Sequence, residues 1–152
     1  MIGWLKGEKI EAWENGTRSG VIISCSGVGY EVQTLFRNQE KISSSKEIIL
    51  WVHQVQREDG SSLIGFLEKL DRDFFRKLIS INGIGPQLAI SLLDKKETNE
   101  LIFAITNKDI QLLTSCPGVG KRIAERLVIE LQSKLEEFTT SIKSIESNKS
   151  LS

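Results

Sequence analysis

A short segment with two glycines occurs twice in the second half of the chain, and this repeat restricts the fold more than any other feature. Residues 78–89 align with residues 113–124 at a constant offset of 35. Each copy has a Gly-aliphatic-Gly turn with apolar residues at helical spacing on both sides, which is typical of two helices joined by a tight turn. The repeat therefore predicts an all-α domain built from two helix-hairpin-helix units.

The turns are suited to binding an anion. Glycine takes backbone angles closed to other residues and, without a Cβ, lets the main chain approach a phosphate closely. Each turn opens a helix whose first N–H groups lack intrahelical partners and lie at the positive end of the helix dipole. One Gly-x-Gly turn is equally consistent with tight packing, but two copies in register favour phosphate binding. The glycines concerned are Gly83, Gly85, Gly118 and Gly120.

Cationic side chains follow the second turn. Lys121 and Arg122 add charge to it, and Arg126, one helical turn later, is expected within reach of the same face. Ile84 and Val119 are the apolar residues expected to anchor each turn to its core. Such hairpins contact the phosphate backbone, so they give affinity and position rather than base specificity. Two of them are suited to holding both strands of a duplex across its minor groove.

The first part of the chain has the features of a small β-barrel. Residues 1–66 contain five or six short apolar or alternating segments with turn signals such as Asn15-Gly16 between them. Five strands with glycine-marked corners favour a closed barrel, for which the OB-fold is the commonest case. Near Leu67 the apolar period changes from two to that of a helix. The predicted class is thus α+β, an OB-fold barrel followed by an all-α double helix-hairpin-helix domain.

The composition excludes several classes of function. Lys plus Arg and Asp plus Glu both total 20, so the chain is not a generic polycation that coats DNA. One histidine and two cysteines cannot build the common zinc sites, and the chain has no Gly-Lys-Ser/Thr loop for ATP. We therefore expect no metal, no cofactor and no catalytic residue. Without a signal sequence or an apolar run of about eighteen residues, a cytoplasmic protein with no membrane contact is expected.

Several linked segments, in order, resemble the RuvA family. They are residues 1–7, 27–32, 53–66, 82–86 and 117–127, and the resemblance extends from residue 1 to about residue 138. It implies a subunit that binds Holliday (four-way) junctions and holds them open and square during branch migration in recombination and repair. It also implies a tetramer, or an octamer of two tetramers face to face, with the ATP-driven motor RuvB and the resolving nuclease RuvC as partners. The chain itself would be a non-catalytic subunit of the complex.

The resemblance adds residues to the candidate site. Glu58 and Asp59 match the acidic pin of the family, which repels phosphates at the crossover, whereas the residues alone indicate only a solvated turn. Arg57 is either a DNA contact or an ion-pair partner of Glu58. Asn82 and Gln87 join the phosphate-binding set, although the family often has a lysine at the position of Gln87. Trp4 stands where the family commonly has an arginine.

The predicted domains are a barrel over 1–66, which carries the pin and the subunit contacts, and a DNA-binding domain over 67–138. Seven of the 14 residues in 139–152 are Ser or Thr, so this segment is expected to be a flexible linker or tail. In the family a third domain that binds RuvB follows such a linker, and we expect that domain to be absent from this chain.

Two other functions are consistent with parts of this sequence pattern. A generic duplex-binding module of a DNA repair enzyme would also use such hairpins, but residues 127–131 lack the aspartate of a glycosylase and no carboxylates cluster as in a two-metal nuclease. A single-strand binder would need exposed aromatic side chains, and aromatic residues are only 7% of the chain. Accordingly, Trp51 and Tyr30 are interpreted as barrel core and His53 as a packed or surface residue.

Overall fold

The computed structural model describes residues 1–136 with their side chains and residues 137–151 as backbone. The chain forms two compact units, which divide between Arg76 and Lys77. The two units are described separately below.

The first unit is a closed barrel of five strands. They are β1 (Trp4–Asn15), β2 (Arg18–Cys25), β3 (Val28–Thr34), β4 (Glu47–Arg57) and β5 (Gly60–Phe66), joined in the order β1-β2-β3-β5-β4. Only the β3–β5 pair is parallel, and the antiparallel pairing of β1 with β4 closes the barrel. The predicted OB-type barrel is confirmed. A 3-10 turn (Phe36–Asn38) and α1 (Gln39–Ser44), which the sequence patterns did not predict, lie between β3 and β4.

Strand β1 serves two neighbours and bends between them. It pairs with β4 from Trp4 to Glu8 and with β2 from Glu8 to Asn15, with a shift in register between Lys9 and Glu11. At Gly7 the backbone of β2 comes so close that an added Cβ would lie 2.0 Å from the carbonyl oxygen of Ser24. Side chains larger than hydrogen are excluded there, so glycine and the bulge together allow the strand to turn the corner of the barrel.

Alternation along the strands fills the barrel interior. Val21 and Ile23 on β2, Val32 on β3, and Leu50 and Val52 on β4 are all fully buried. Because successive side chains of a strand point to opposite faces, the residues between them face outward. The β2–β3 turn has positive φ at both central residues, Ser26 and Gly27, which suits the twist of a two-residue hairpin.

This alternation places Trp51 on the outside of the barrel, between the buried Leu50 and Val52. The prediction that Trp51 belongs to the barrel core is therefore wrong. Its indole is half-buried because the Arg72 guanidinium lies 5.0 Å and the Lys69 ammonium 6.0 Å from the ring centroid. Tyr30, by contrast, is half-buried and packs against the barrel core as predicted.

Helix α2 (Lys69–Ile79) begins three residues after β5 ends, so the change of structure near residue 67 occurs where the sequence predicts it. Its first two turns pack on the barrel. Arg72 Nη1 donates to the carbonyl of Gly3 at 2.9 Å, and Arg76 Nε donates to His53 Nδ1 at 3.1 Å. The buried ring of Phe75 lies 5.5 Å from that of His53. These contacts are why the compact units divide later than the predicted domain boundary at residues 66 and 67.

The second unit contains the remaining helices. They are α3 (Pro86–Lys95), α4 (Thr98–Thr106), α5 (Ile110–Thr114) and α6 (Lys121–Leu151). Its core is formed mainly by aliphatic side chains, among them Leu78, Leu92, Leu101, Leu113 and Leu127. The predicted tail, residues 139–152, lies outside the part described with side chains, so its flexibility stays a prediction. Within the described residues, we find no helix of the length and apolarity that a bilayer requires.

His53 provides a test of the packing between barrel and helix. Burial lowers the pKa of His53, and the charges of Arg76 and Arg72 lower it further. The unfolded chain, with a pKa of about 6.5, then binds the proton more tightly than the folded one. The stability that neutral His53 contributes above about pH 6.5 is lost as the pH falls through the pKa of His53 in the folded chain. We expect the thermal midpoint to drop between about pH 7.5 and about pH 5.5.

The matched variant is H53N, whose amide oxygen can still accept the Arg76 hydrogen bond but does not titrate in this range. Its midpoint should fall less over the same interval. An equal fall in H53N and the unsubstituted chain would show that other groups cause the acid sensitivity.

Candidate nucleic-acid interface

The two predicted hairpins have the same backbone hydrogen bonds at the offset of 35 residues. The first joins α2 to α3 and the second joins α5 to α6. Three N–H to carbonyl bonds recur in both, with lengths of 3.0 to 3.2 Å. They are Ile81 to Leu78, Ile84 to Ile81 and Ala89 to Gly85 in the first, and Cys116 to Leu113, Val119 to Cys116 and Ala124 to Gly120 in the second. The sequence repeat is thus a structural repeat, as predicted.

Each turn has one apolar side that is buried and one glycine side that is exposed. Ile84 and Val119 are both only 4% exposed, so they anchor the turns as expected. Gly83 and Gly118 have φ of 98° and 83° at the third position of a turn closed by the i to i+3 bond. Positive φ at that position defines a type II turn, which glycine adopts without strain. Both turns therefore require this first glycine for their own conformation.

The second glycine of each turn has a different role. Gly85 has ordinary angles, φ −88° and ψ 174°, and caps the N-terminus of α3 without a side-chain hydrogen bond. A Cβ added at Gly85 or Gly120 would find no heavy atom within 4 Å. The protein does not need glycine there for space or conformation. The missing side chain leaves the helix N-terminus open to solvent.

The helix N-termini offer backbone donors next to this open space. In α6 the first i to i−4 bond is that of the Ala124 N–H, so the amides of Lys121, Arg122 and Ile123 precede the helical ladder. The first hairpin also borders an open depression of about 410 Å³, lined by residues 79–85. Free N–H groups at a helix N-terminus are typical of a surface that binds a phosphate group.

The charges at the two N-termini differ. Lys121 and Arg122 are exposed in the first turn of α6. The equivalent residues of α3 are Pro86 and Gln87, both half-buried, and proline has no N–H to donate. The second hairpin is therefore the more strongly charged of the two at its own helix start, as the sequence predicts.

Arg126 makes a contact that the sequence does not predict. Its Nη1 donates to the carbonyl oxygen of Asn82 at 2.7 Å, which attaches it to the first hairpin although α6 belongs to the second. Leu88 on α3 in turn lies near the second turn, because a Cβ at Gly118 would lie 3.0 Å from Leu88 Cδ1. The first turn thus contacts α6 through Arg126, and the second turn lies near α3 at Leu88. Sequence spacing along α6 could not reveal these links, since they connect residues 44 and 30 positions apart.

Glu58 and Asp59, the predicted pin, form the two-residue turn between β4 and β5. The last pair of the ladder is Arg57 with Gly60. Residues 56–62 are all exposed, so this end of the hairpin stands clear of the barrel on both faces. Arg57 has no hydrogen bond or ion pair to Glu58 among the described residues. The two carboxylates are thus presented to solvent at the tip of a paired ribbon in the first unit.

The other reactive side chains have packing roles. His53 accepts a hydrogen bond from Arg76 and packs on Phe75, as its interpretation as a packed residue predicts. Cys116 is buried in the second hairpin, and burial raises the pKa of its thiol. Within residues 1–136 no group of three or more His, Cys, Asp or Glu side chains could hold a metal ion.

The two glycines of one turn should respond differently to alanine. Gly118→Ala places a Cβ at positive φ and against Leu88, and we expect a loss of about 1–2 kcal/mol in the free energy of unfolding. Gly120→Ala has no such conflict and should lose clearly less than Gly118→Ala, because the lower preference for alanine at an N-cap is partly offset by the reduced entropy of the unfolded chain. Chemical denaturation of both variants measures this. Equal losses would mean that Gly120 also serves the fold.

Comparisons with known proteins agree with this arrangement. Residues 1–65 match the family described as RuvA N terminal domain, and residues 75–133 match the SAM-like Helix-hairpin-helix tandem. Three relatives carry the name Holliday junction branch migration complex subunit RuvA. One from Prochlorococcus marinus (strain SARG) is 70% identical over 138 residues, 91% of this chain and 62% of the relative.

A second, from Prochlorococcus marinus (strain MIT 9211), is 55% identical over the same coverage of 91% and 62%. The third, from Synechococcus sp. (strain CC9311), is 50% identical over 151 residues, which are 99% of this chain and 69% of the relative. The chain thus spans 62% of the length of the first two relatives. Identity and coverage of this extent, together with the barrel and the paired hairpins, establish that the chain belongs to the RuvA family.

Proposed function

We propose that this chain binds four-way DNA junctions and holds them open and square, so that a motor protein can drive branch migration during recombination and repair. The observation that carries the proposal is the pair of equivalent hairpin turns in the second unit. Each exposes a glycine with open space around it next to a helix N-terminus. The name of the relatives, which refers to the Holliday junction and to branch migration, supports the same function.

In this function the hairpins bind the sugar-phosphate backbone. The N–H groups at the start of α6 and the side chains of Lys121 and Arg122 contact one strand, and the turn at Asn82, Gly83 and Gly85 contacts the other. Gln87 lies at the start of α3 beside the second contact. Because backbone phosphates are the same in every sequence, the hairpins position the protein without selecting bases. Selection of the junction must therefore come from another part of the chain.

We assign that selection to Glu58 and Asp59. A homotetramer would bring four copies of this turn, with eight carboxylates, to the centre of the junction. Their repulsion of phosphate would hold the arms apart and disfavour a continuous duplex across the centre. The exposure of residues 56–62 supports this role, because a turn packed against the barrel could not reach DNA. Arg57, at the last ladder position, would contact a neighbouring phosphate.

The chain would act without catalysing a reaction itself. The proposed partners are further copies of the chain in a tetramer or a face-to-face octamer, the ATP-driven motor RuvB through a third domain, and the resolving nuclease RuvC. The proposed location is the cytoplasm, with no metal or cofactor. The alternative is a generic duplex-binding module of a DNA repair enzyme, which would use the same hairpins but would not discriminate junctions from duplex.

Competition binding separates these two functions. A labelled four-way junction is bound at one fixed salt concentration and challenged with unlabelled junction or with linear duplex of the same total length. Junction should compete at least about tenfold better than duplex, which corresponds to about 1.4 kcal/mol. Equal competition would favour the generic module and contradict the assignment of the pin.

The same assay tests the acidic turn. Replacing Glu58 and Asp59 with Gln and Asn removes the repulsion but keeps the size of the side chains. Affinity for the junction should stay the same or rise, and the preference over duplex should decrease. If binding to both DNAs collapsed while the variant remained folded, the turn would be a binding element and not a selective one.

The second hairpin is tested by replacing Lys121 and Arg122 with alanine. Each lost phosphate contact should reduce the slope of log affinity against log salt by about one, because fewer counterions are released on binding. Affinity at low salt should fall as well. Lys134→Gln, an exposed charge further along α6, is the control. An unchanged slope in the double variant would show that these side chains do not contact phosphate.

A further inference from the structure

The turn of the first hairpin and the first turns of α3 carry no cationic side chain. Between residues 78 and 94 there is no lysine or arginine, and the helix position equivalent to Lys121 is Pro86, which also lacks an N–H. If this hairpin binds a phosphate as the second one does, it does so with fewer backbone donors and without local charge. A cation from elsewhere in the second unit would remove this difference.

Arg126 is placed to supply that charge. Its Nη1 lies 2.7 Å from the Asn82 carbonyl oxygen and 3.7 Å from the position that a Cβ on Gly83 would take. The guanidinium therefore lies on the first turn, next to the glycine at positive φ, although its backbone is one helical turn into α6. Residue Arg126 is exposed, so the group is open to a ligand from solvent.

The contact with Asn82 uses only part of the donor capacity of the side chain. A guanidinium has five N–H donors, and this hydrogen bond takes one of them. Arg126 makes no other hydrogen bond or ion pair to the described residues. The remaining donors form a planar fork of the kind that binds phosphate oxygens in pairs.

We infer that Arg126, carried by the helix of the second hairpin, is the phosphate-binding cation of the first hairpin, and that its hydrogen bond to the Asn82 carbonyl holds it there. The inference rests on the proposed function, because it presumes that both hairpins bind DNA backbone. It assigns the side chain to the opposite strand from Lys121 and Arg122. Each strand would then meet at least one cation, even with Gln87 at the start of α3.

A double-mutant cycle tests which hairpin Arg126 serves. R126Q is combined with G85A, which obstructs the first hairpin, and separately with G120A, which obstructs the second. Binding to a four-way junction is measured at fixed salt. R126Q alone should weaken binding about tenfold, as expected for the loss of a charge-assisted hydrogen bond. In the G85A background the further loss should be less than about threefold, while in the G120A background it should remain about tenfold.

The other outcomes overturn the inference. Coupling of R126Q with G120A, or full additivity with both glycine variants, would show that Arg126 does not serve the first hairpin. An equal loss of affinity in K134Q, which removes a charge from the same helix, would also contradict the inference, because the effect of R126Q would then be non-specific. If G85A and G120A both leave binding unchanged, the hairpin proposal fails together with the inference.

R126K separates the two tasks of the side chain. Lysine keeps the charge, but it is about one bond shorter and should lose the Asn82 carbonyl. We expect weaker binding with a salt slope close to that of the unsubstituted chain, whereas R126Q should lower the slope by about one. A purely structural role would leave the slope unchanged in R126Q. The thermal midpoint of every variant is measured alongside, so that loss of folding is not mistaken for loss of a contact.

Discussion

The hydrogen bond that closes each hairpin turn is the interaction on which the proposed DNA-binding surface depends. In the first turn the Ile84 N–H bonds the Ile81 carbonyl at 3.1 Å, and Val119 and Cys116 do the same in the second. The bond fixes a type II geometry, buries the apolar residue beside it and requires glycine at the third position. The chain then enters the next helix with its first amides exposed. These two hydrogen bonds therefore set the direction in which the chain leaves each turn and enters α3 or α6.

Two equivalent turns can contact both strands of a duplex only if the distance between the turns is fixed. Within the second unit that separation depends on the contacts between Arg126 and Asn82 and between Leu88 and the backbone at Gly118. One is polar and exposed, the other apolar and tight. Because each contact joins one turn to the helix following the other, displacement of either hairpin would disturb both. The unit is thus suited to a partner of regular spacing, such as the two strands of a duplex.

The parts of the fold and of the candidate site that could be predicted are those that depend on local sequence patterns. The strands, the turn glycines and the charged start of α6 each depend on neighbours in sequence, and all lie where predicted. Trp51 was misassigned because an apolar run does not show which face of the strand points inward. The contact of Arg126 with the first hairpin could not be predicted, because a contact across 44 residues has no periodic signal. The acidic turn has the composition of any solvated loop, so only the family resemblance predicts a role for it.

The two partners of β1 also have a consequence for how the barrel can contact other protein chains. Because β1 pairs with β4 at one end and β2 at the other, the five strands of the first unit close into a barrel, and most of their length is not available as an open sheet edge. Exposed strand edges are where proteins recruit one another into open-ended aggregates. Another protein chain would then meet the barrel mainly through side-chain surfaces. Such surfaces are complementary in only a few orientations, which favours assemblies of defined size over fibres.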